Sequence, residues 1–139
     1  MEQLGFDRAR RMLLAAVNQI RAHHEKLSQL DSFGGDGDHG TTMVRAMECL
    51  ARGVEQTQTG TLKDLFNNVG WAIMGVDGGA TGPLFGSFFM GMAAAPESDG
   101  ESVDGAGLAA MFEAGMASVR TVSKAQVGEK TMIDALPAA

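Results

Sequence analysis

An all-α bundle is the fold this sequence predicts, in one domain over residues 1–139. Three observations predict it. Apolar residues recur at three- and four-residue steps in four segments, the pattern of a helix that buries one face, and a fifth segment is apolar all round. No segment alternates apolar and polar residues over a useful strand length. Short stretches rich in Gly, Asp and Thr separate the periodic segments, as turns between helices do. With 45% apolar and 20% charged residues the composition is that of an ordinary globular chain, long enough to bury a real core.

The first helix runs from Phe6 to near Leu30, on Phe6, Leu13, Val17, Ile20 and Leu27. Its arginines fall mostly on the other face. His23 and His24 read as surface or packed side chains, since no acidic partner stands at helical spacing. A second helix starts just after Asp38, a residue type suited to an N-cap. Met43, Met47, Leu50 and Val54 are its buried stripe, and it dissolves at Gln56 to Gly60. Thr61-Leu62-Lys63-Asp64 is similar to a capping box with Asp in the Glu position. Leu62, Leu65, Phe66, Val69 and Ile73 then form a third helix, on which Trp71 reads as core or interface.

The stretch from Gly75 to Gly86 lacks the Gly-Lys-Ser/Thr ending of a Walker A loop. It follows a helix rather than a strand, which excludes a dinucleotide fingerprint. Gly78-Gly79 predict a tight turn, Thr81 can cap, and Pro83 suits a first helical turn. The following Leu84 to Ala93 is apolar on all faces, so it is buried in the bundle. Its small residues allow close approach of either another helix or a flat ligand such as adenine. Pro96 to Gly107 is a polar loop, and Asp104 caps a helix carrying Leu108, Met111, Phe112, Met116 and Val119. A polar loop with two lysines follows from Ser123, and another apolar segment begins at Met132.

The chemistry concentrates in the turn after the first helix. Asp31, Asp36, Asp38 and His39 fall within nine residues, among glycines. Asp-Gly turns are common in solvated loops, but three carboxylates this close repel one another unless a positive charge sits among them. Carboxylates suit hard divalent cations, and Mg²⁺ takes one or two of them together with substrate phosphates. An EF-hand loop is excluded, because position twelve from Asp36 is Met47 and from Asp31 is Thr42, where that loop needs Glu. Asp31 closes the first helix, where the dipole disfavours a carboxylate. Gly40, Thr41 and Thr42 open the next one, where free backbone N–H groups attract phosphate. A metal site and a phosphate site thus meet at one helix start.

Charge and cysteine usage narrow the function classes. Seventeen acidic and 11 basic residues give a net charge of −6, with no basic stripe to neutralise a nucleic acid. The single cysteine, Cys49, forms no internal disulfide, which fits a cytoplasmic location. The uncharged run from Gly78 to Pro96 has about the length of a membrane span, but its glycines and proline argue against one. Met1 to Gly5 has neither the basic nor the apolar region of a secretory signal.

Three segments in order and spacing resemble the nucleotide-binding L-subunit family of dihydroxyacetone kinases. They are Asp31-x4-Asp36-Gly37-Asp38-His39-Gly40, Gly78-Gly79-Ala80-Thr81-Gly82-Pro83-Leu84-Phe85-Gly86, and Gly128-Glu129-Lys130-Thr131-Met132-x-Asp134. The resemblance implies an antiparallel eight-helix barrel with ADP or ATP at one end. It implies that Asp31, Asp36 and Asp38 hold two Mg²⁺ ions on the nucleotide phosphates. His39, Gly40, Thr41 and Thr42 match the phosphate-contacting helix start, and Ala80 and Thr81 the glycine-turn contacts. Ser123 and Met132 match positions lining the nucleotide, although the family usually has glycine where Ser123 stands.

The activity implied is phosphoryl transfer to dihydroxyacetone held by a separate K subunit. In phosphotransferase-system versions, a phosphohistidine on an M subunit recharges bound ADP. A nucleotide-binding regulatory member acting through protein contacts is the alternative reading. The family continues well past residue 139. The barrel is therefore expected to be incomplete at its C-terminal side, with Leu84–Ala95 short of neighbours and self-association covering the gap.

Overall fold

The computed structural model describes residues 2–77 and 80–123, and its architecture is all-α. In chain order the elements are β1 (Leu4–Gly5), α1 (Phe6–Ala22), α2 (His24–Asp31), α3 (His39–Gln56), α4 (Leu62–Met74), α5 (Thr81–Ala94), β2 (Ser102–Val103) and α6 (Gly105–Val122). A short 3₁₀ turn at Pro96–Asp99 lies between α5 and β2. From α3 onward each helix packs mainly on its neighbours in sequence, and both α1 and α2 lie against α3. None of the described helices is long and apolar enough to cross a membrane.

The periodic stripes form the core. Leu13 and Val17 of α1 meet Met43, Met47, Leu50 and Val54 of α3, then Leu62, Leu65, Phe66, Val69 and Ile73 of α4. Phe66 is fully buried and stacks on Phe89 of α5 with ring centroids 6.2 Å apart. Phe88 meets Phe89 and Phe112 edge-on, carrying the core to α6. Two local caps fall where the sequence predicts. Thr61 Oγ1 accepts from the Asp64 N–H, and Asp64 Oδ2 accepts from the Thr61 N–H, a reciprocal capping box. Asp104 Oδ1 accepts from the Gly107 N–H at 2.8 Å at the start of α6.

Glycines set the spacing around α5. A Cβ on Gly70 would lie 3.0 Å from the Gly86 carbonyl oxygen, and one on Gly86 would lie 3.1 Å from that of Gly70. On the other side a Cβ on Gly91 would come 2.7 Å from the Ala114 carbonyl oxygen. The small residues of α5 therefore serve the approach of α4 and α6, which settles the choice left open between a helix and a flat ligand at these glycines. Leu84, Phe85, Phe89 and Met90 of α5 remain half-buried, while Phe88 and Met92 lie in the core.

Other expectations are corrected. The first helix is not continuous to Leu30 but breaks at His23, between α1 and α2. The Nδ1 atoms of His23 and His24 approach the carbonyl oxygens of Gln19 and Arg21 at 2.8 Å, competing for the acceptors that a continuing helix uses. Of the two places read for Trp71, core or interface, its 63% exposure removes the core. Leu4 pairs with Val103 and Gly5 with Ser102, a two-residue antiparallel contact too short to leave an alternation in the sequence. Thr81 makes no side-chain cap for α5; Ala80 occupies the N-cap position.

Candidate metal and phosphate site

The turn from Asp31 to His39 folds back on itself through glycine. Gly34 and Gly35 donate their N–H groups to the Asp31 carbonyl oxygen, at 3.1 and 2.6 Å. A Cβ on Gly35 would collide with the Asp31 carboxylate. Gly37 has φ +77°, a left-handed conformation that other residues adopt only at a cost. The outcome is that one carboxylate oxygen from each of Asp31, Asp36 and Asp38 lies within 4.8 Å of the others.

The pair Asp36 and Asp38 shows the electrostatic state of this cluster. The Asp36 carboxyl is held below its ordinary value, first by a hydrogen bond with the Asp38 side chain and then by the Asp38 backbone N–H. Asp38 is pushed up, first by that same side-chain bond, then by desolvation and the charges of Asp36 and Asp31. Three carboxylates this close crowd one another's charge, and a cation among them would neutralise all three. The donor set is all oxygen, with no nitrogen or sulfur in it, which suits Mg²⁺ rather than a softer metal.

Asp31 resolves the conflict its sequence position posed. It is the last residue of α2, but its Oδ2 accepts the His39 N–H at 3.2 Å, at the positive end of α3. The side chain of Asp38 occupies the N-cap position without making a cap bond, so Asp31 performs the role predicted for it. The first turn of α3 is also less open than predicted. Gly40 donates to Ser28 Oγ at 3.0 Å, and Thr42 donates to the Asp38 carbonyl oxygen at 3.0 Å. Packing of α2 across the helix start took donors that the sequence, read locally, leaves free.

A cavity of about 280 Å³ is lined by Asp31, Asp36, Asp38, His39, Thr42, Ala80 and Thr81. The structure thus brings the acidic turn and the starts of α3 and α5 to one place. Gly40 is buried behind this wall, and Thr41 is exposed outside it. Ser123 caps α6 and is not among the described residues lining the cavity. Met132 and the Gly128–Asp134 segment lie outside the described residues, as do Gly78 and Gly79.

Two residues here escaped sequence reasoning. Ser28 stands one helical turn before Asp31, and that spacing was the available signal. Arg45 Nη1 donates to the Asp77 carbonyl oxygen at 3.3 Å, tying α3 to the segment that leads to α5. No local signal foretells it, because the partners are 32 positions apart.

Fold and site together define an all-α protein with an acidic turn set against two helix starts. The description "DAK2 domain" matches residues 34–139, and the chain belongs to that family. It is similar to "PEP-dependent dihydroxyacetone kinase 1, ADP-binding subunit DhaL" of Listeria innocua, at 37% identity over 92% of this chain and 64% of the relative. The corresponding "PTS-dependent" subunit of Lactococcus lactis is 37% identical, over 84% of this chain and 57% of its own length. The "PEP-dependent" subunit of Escherichia coli is 34% identical, over 79% and 52%. The chain therefore spans between about half and two thirds of these relatives.

Proposed function

We propose that this chain is the Mg²⁺-dependent nucleotide-binding subunit of a dihydroxyacetone kinase. The convergence of Asp31, Asp36 and Asp38 beside the starts of α3 and α5 is the observation that carries the reading. In it, Asp31, Asp36 and Asp38 hold two Mg²⁺ ions, which supply charge neutralisation on the phosphates of ADP or ATP. His39 and Thr42 face the phosphates from α3, with Gly40 and Thr41 at the same helix start, and Ala80 and Thr81 face them from α5. By resemblance to the family, Ser123 and Met132 are proposed as further positions lining the nucleotide.

Phosphoryl transfer asks mainly for positioning and charge stabilisation, and an acidic turn fixed by glycines provides both. The acceptor hydroxyl of dihydroxyacetone would form a bond to the γ-phosphorus as the bond to the β-phosphate oxygen breaks. Its proton passes to a base on the partner K subunit that holds the sugar. The dependence on PEP or the PTS that the relatives' names carry supports recharging of bound ADP by a phosphohistidine-bearing M subunit. The work of this chain is then to hold the nucleotide in one domain, in the cytoplasm, between the two partners.

Calorimetric titration of ADP, with and without Mg²⁺, tests the proposal. Binding should require Mg²⁺ and be lost in Asp36→Ala. Binding that is indifferent to both would overturn it.

A further inference from the structure

We infer that Ser28 is a positioning residue for the metal site, acting through the backbone of Gly40 to hold Asp31 in place. The inference rests on the proposed Mg²⁺–nucleotide reading and extends it to a residue that touches neither ion nor phosphate.

α2 carries Asp31 but has no buried residue of its own. Leu27, half-buried, is its one large apolar side chain packed against the core. The break at His23 also ends α1 before α2 begins, so α2 is not a continuation of α1. A helix so lightly anchored cannot fix a ligand by apolar packing, and polar contacts must set its register.

Those contacts lie on one stripe. Ser28 Oγ accepts the Gly40 N–H at 3.0 Å, and Asp31 Oδ2 accepts the His39 N–H at 3.2 Å. Two consecutive donors of α3 are thus met by two side chains one turn apart on α2. The backbones come so close that a Cβ on Gly40 would overlap the His24 carbonyl oxygen and Ser28 Oγ. His24, Ser28 and Asp31 therefore follow i, i+4, i+7 along the face turned to α3. The bond from His39 to Oδ2 fixes the rotation of the Asp31 carboxylate, one oxygen of which lies within 4.8 Å of one from each of Asp36 and Asp38. Removal of the Ser28 hydroxyl leaves the N–H of buried Gly40 without a partner and frees α2 to slide.

The test uses the full chain, Ser28→Ala and Ser28→Thr. Mg²⁺-dependent ADP affinity should fall about 10- to 100-fold in Ser28→Ala, the range for partners that orient metal ligands. Ser28→Thr, which keeps the hydroxyl, should restore it. Melting in EDTA should fall by about 2–5 °C, the size of one lost hydrogen bond, and Ser28→Thr should restore it. Hydrogen exchange of the Gly40 amide should speed up in Ser28→Ala alone, a readout that needs no ligand. Equal affinity in Ser28→Ala and the parent would overturn the inference while leaving the proposed function intact. So would a lowered melting temperature with no recovery in Ser28→Thr, which marks a purely structural role. A parent chain that binds no Mg²⁺–ADP would instead overturn the proposed function, and this inference with it.

Discussion

Replacing Gly40 with Ala places a methyl group where α2 crosses α3. The new Cβ meets a backbone carbonyl, that of His24, which cannot rotate aside as a side-chain tip can. Forcing an extra methyl into a filled contact costs about 1–3 kcal/mol. Displacement of α2 also loses the Ser28 bond to the Gly40 N–H, worth about 1 kcal/mol. Against this, Ala is favoured over Gly in a helix by about 1 kcal/mol at most, and by less in a first turn. The balance is a loss of about 2 kcal/mol, or roughly 5–10 °C in melting temperature for a chain of this size. Because Asp31 moves with α2, Mg²⁺-dependent ADP binding should fall further than stability does. Gly34→Ala is the control in the same turn, since a Cβ there meets nothing within 4 Å and its φ is not positive. Thermal melts in EDTA and calorimetry on the three chains decide the matter. A Gly40→Ala chain that melts with the parent and binds Mg²⁺–ADP equally would refute the reasoning.

Acidification offers a second test. The carboxyl of Asp38 is raised in the folded chain, so its stabilising share is full below the unfolded value of 3.8 and is lost as pH rises through the folded pKa. Asp36 is lowered, so its share is present above 3.8 and is lost as pH falls through its folded pKa. In EDTA the two slopes act on opposite sides of 3.8, so the pair stabilises the chain most around that pH, and replacing both with Asn should flatten the melting-temperature profile there. Metal binding needs both groups ionised, so the rise in melting temperature produced by Mg²⁺–ADP should shrink as pH falls toward the raised pKa of Asp38. A third test addresses the core: Phe66→Ala removes a fully buried ring stacked on Phe89 and should cost about 3–5 kcal/mol, read as a lowered denaturant midpoint.

What the sequence by itself determined was local. Helix periodicity located the stripes of α1, α3, α4 and α6, because burial of one face repeats every three to four residues, and α5 stood out as apolar all round. The caps at Thr61 and Asp104 were legible because donor and acceptor stand three residues apart. The acidic turn was legible because Asp31, Asp36 and Asp38 share one short glycine-rich segment, whatever the rest of the chain does. Tertiary structure decided which of those groups remain available. The Gly40 N–H was counted as open, with those of Thr41 and Thr42, because nothing beside it in sequence could take it. Its acceptor, Ser28 Oγ, stands 12 positions back, and that of the His39 N–H stands 8 back, on a helix that α3 crosses only after the turn closes. In the same way, only packing brought Ala80 and Thr81 to the acidic turn, assigned the glycines of α5 to its neighbouring helices, and left Trp71 at the surface. Hydrogen bonds and steric contacts between distant segments depend on where helices cross, and a crossing has no period to read in either sequence alone.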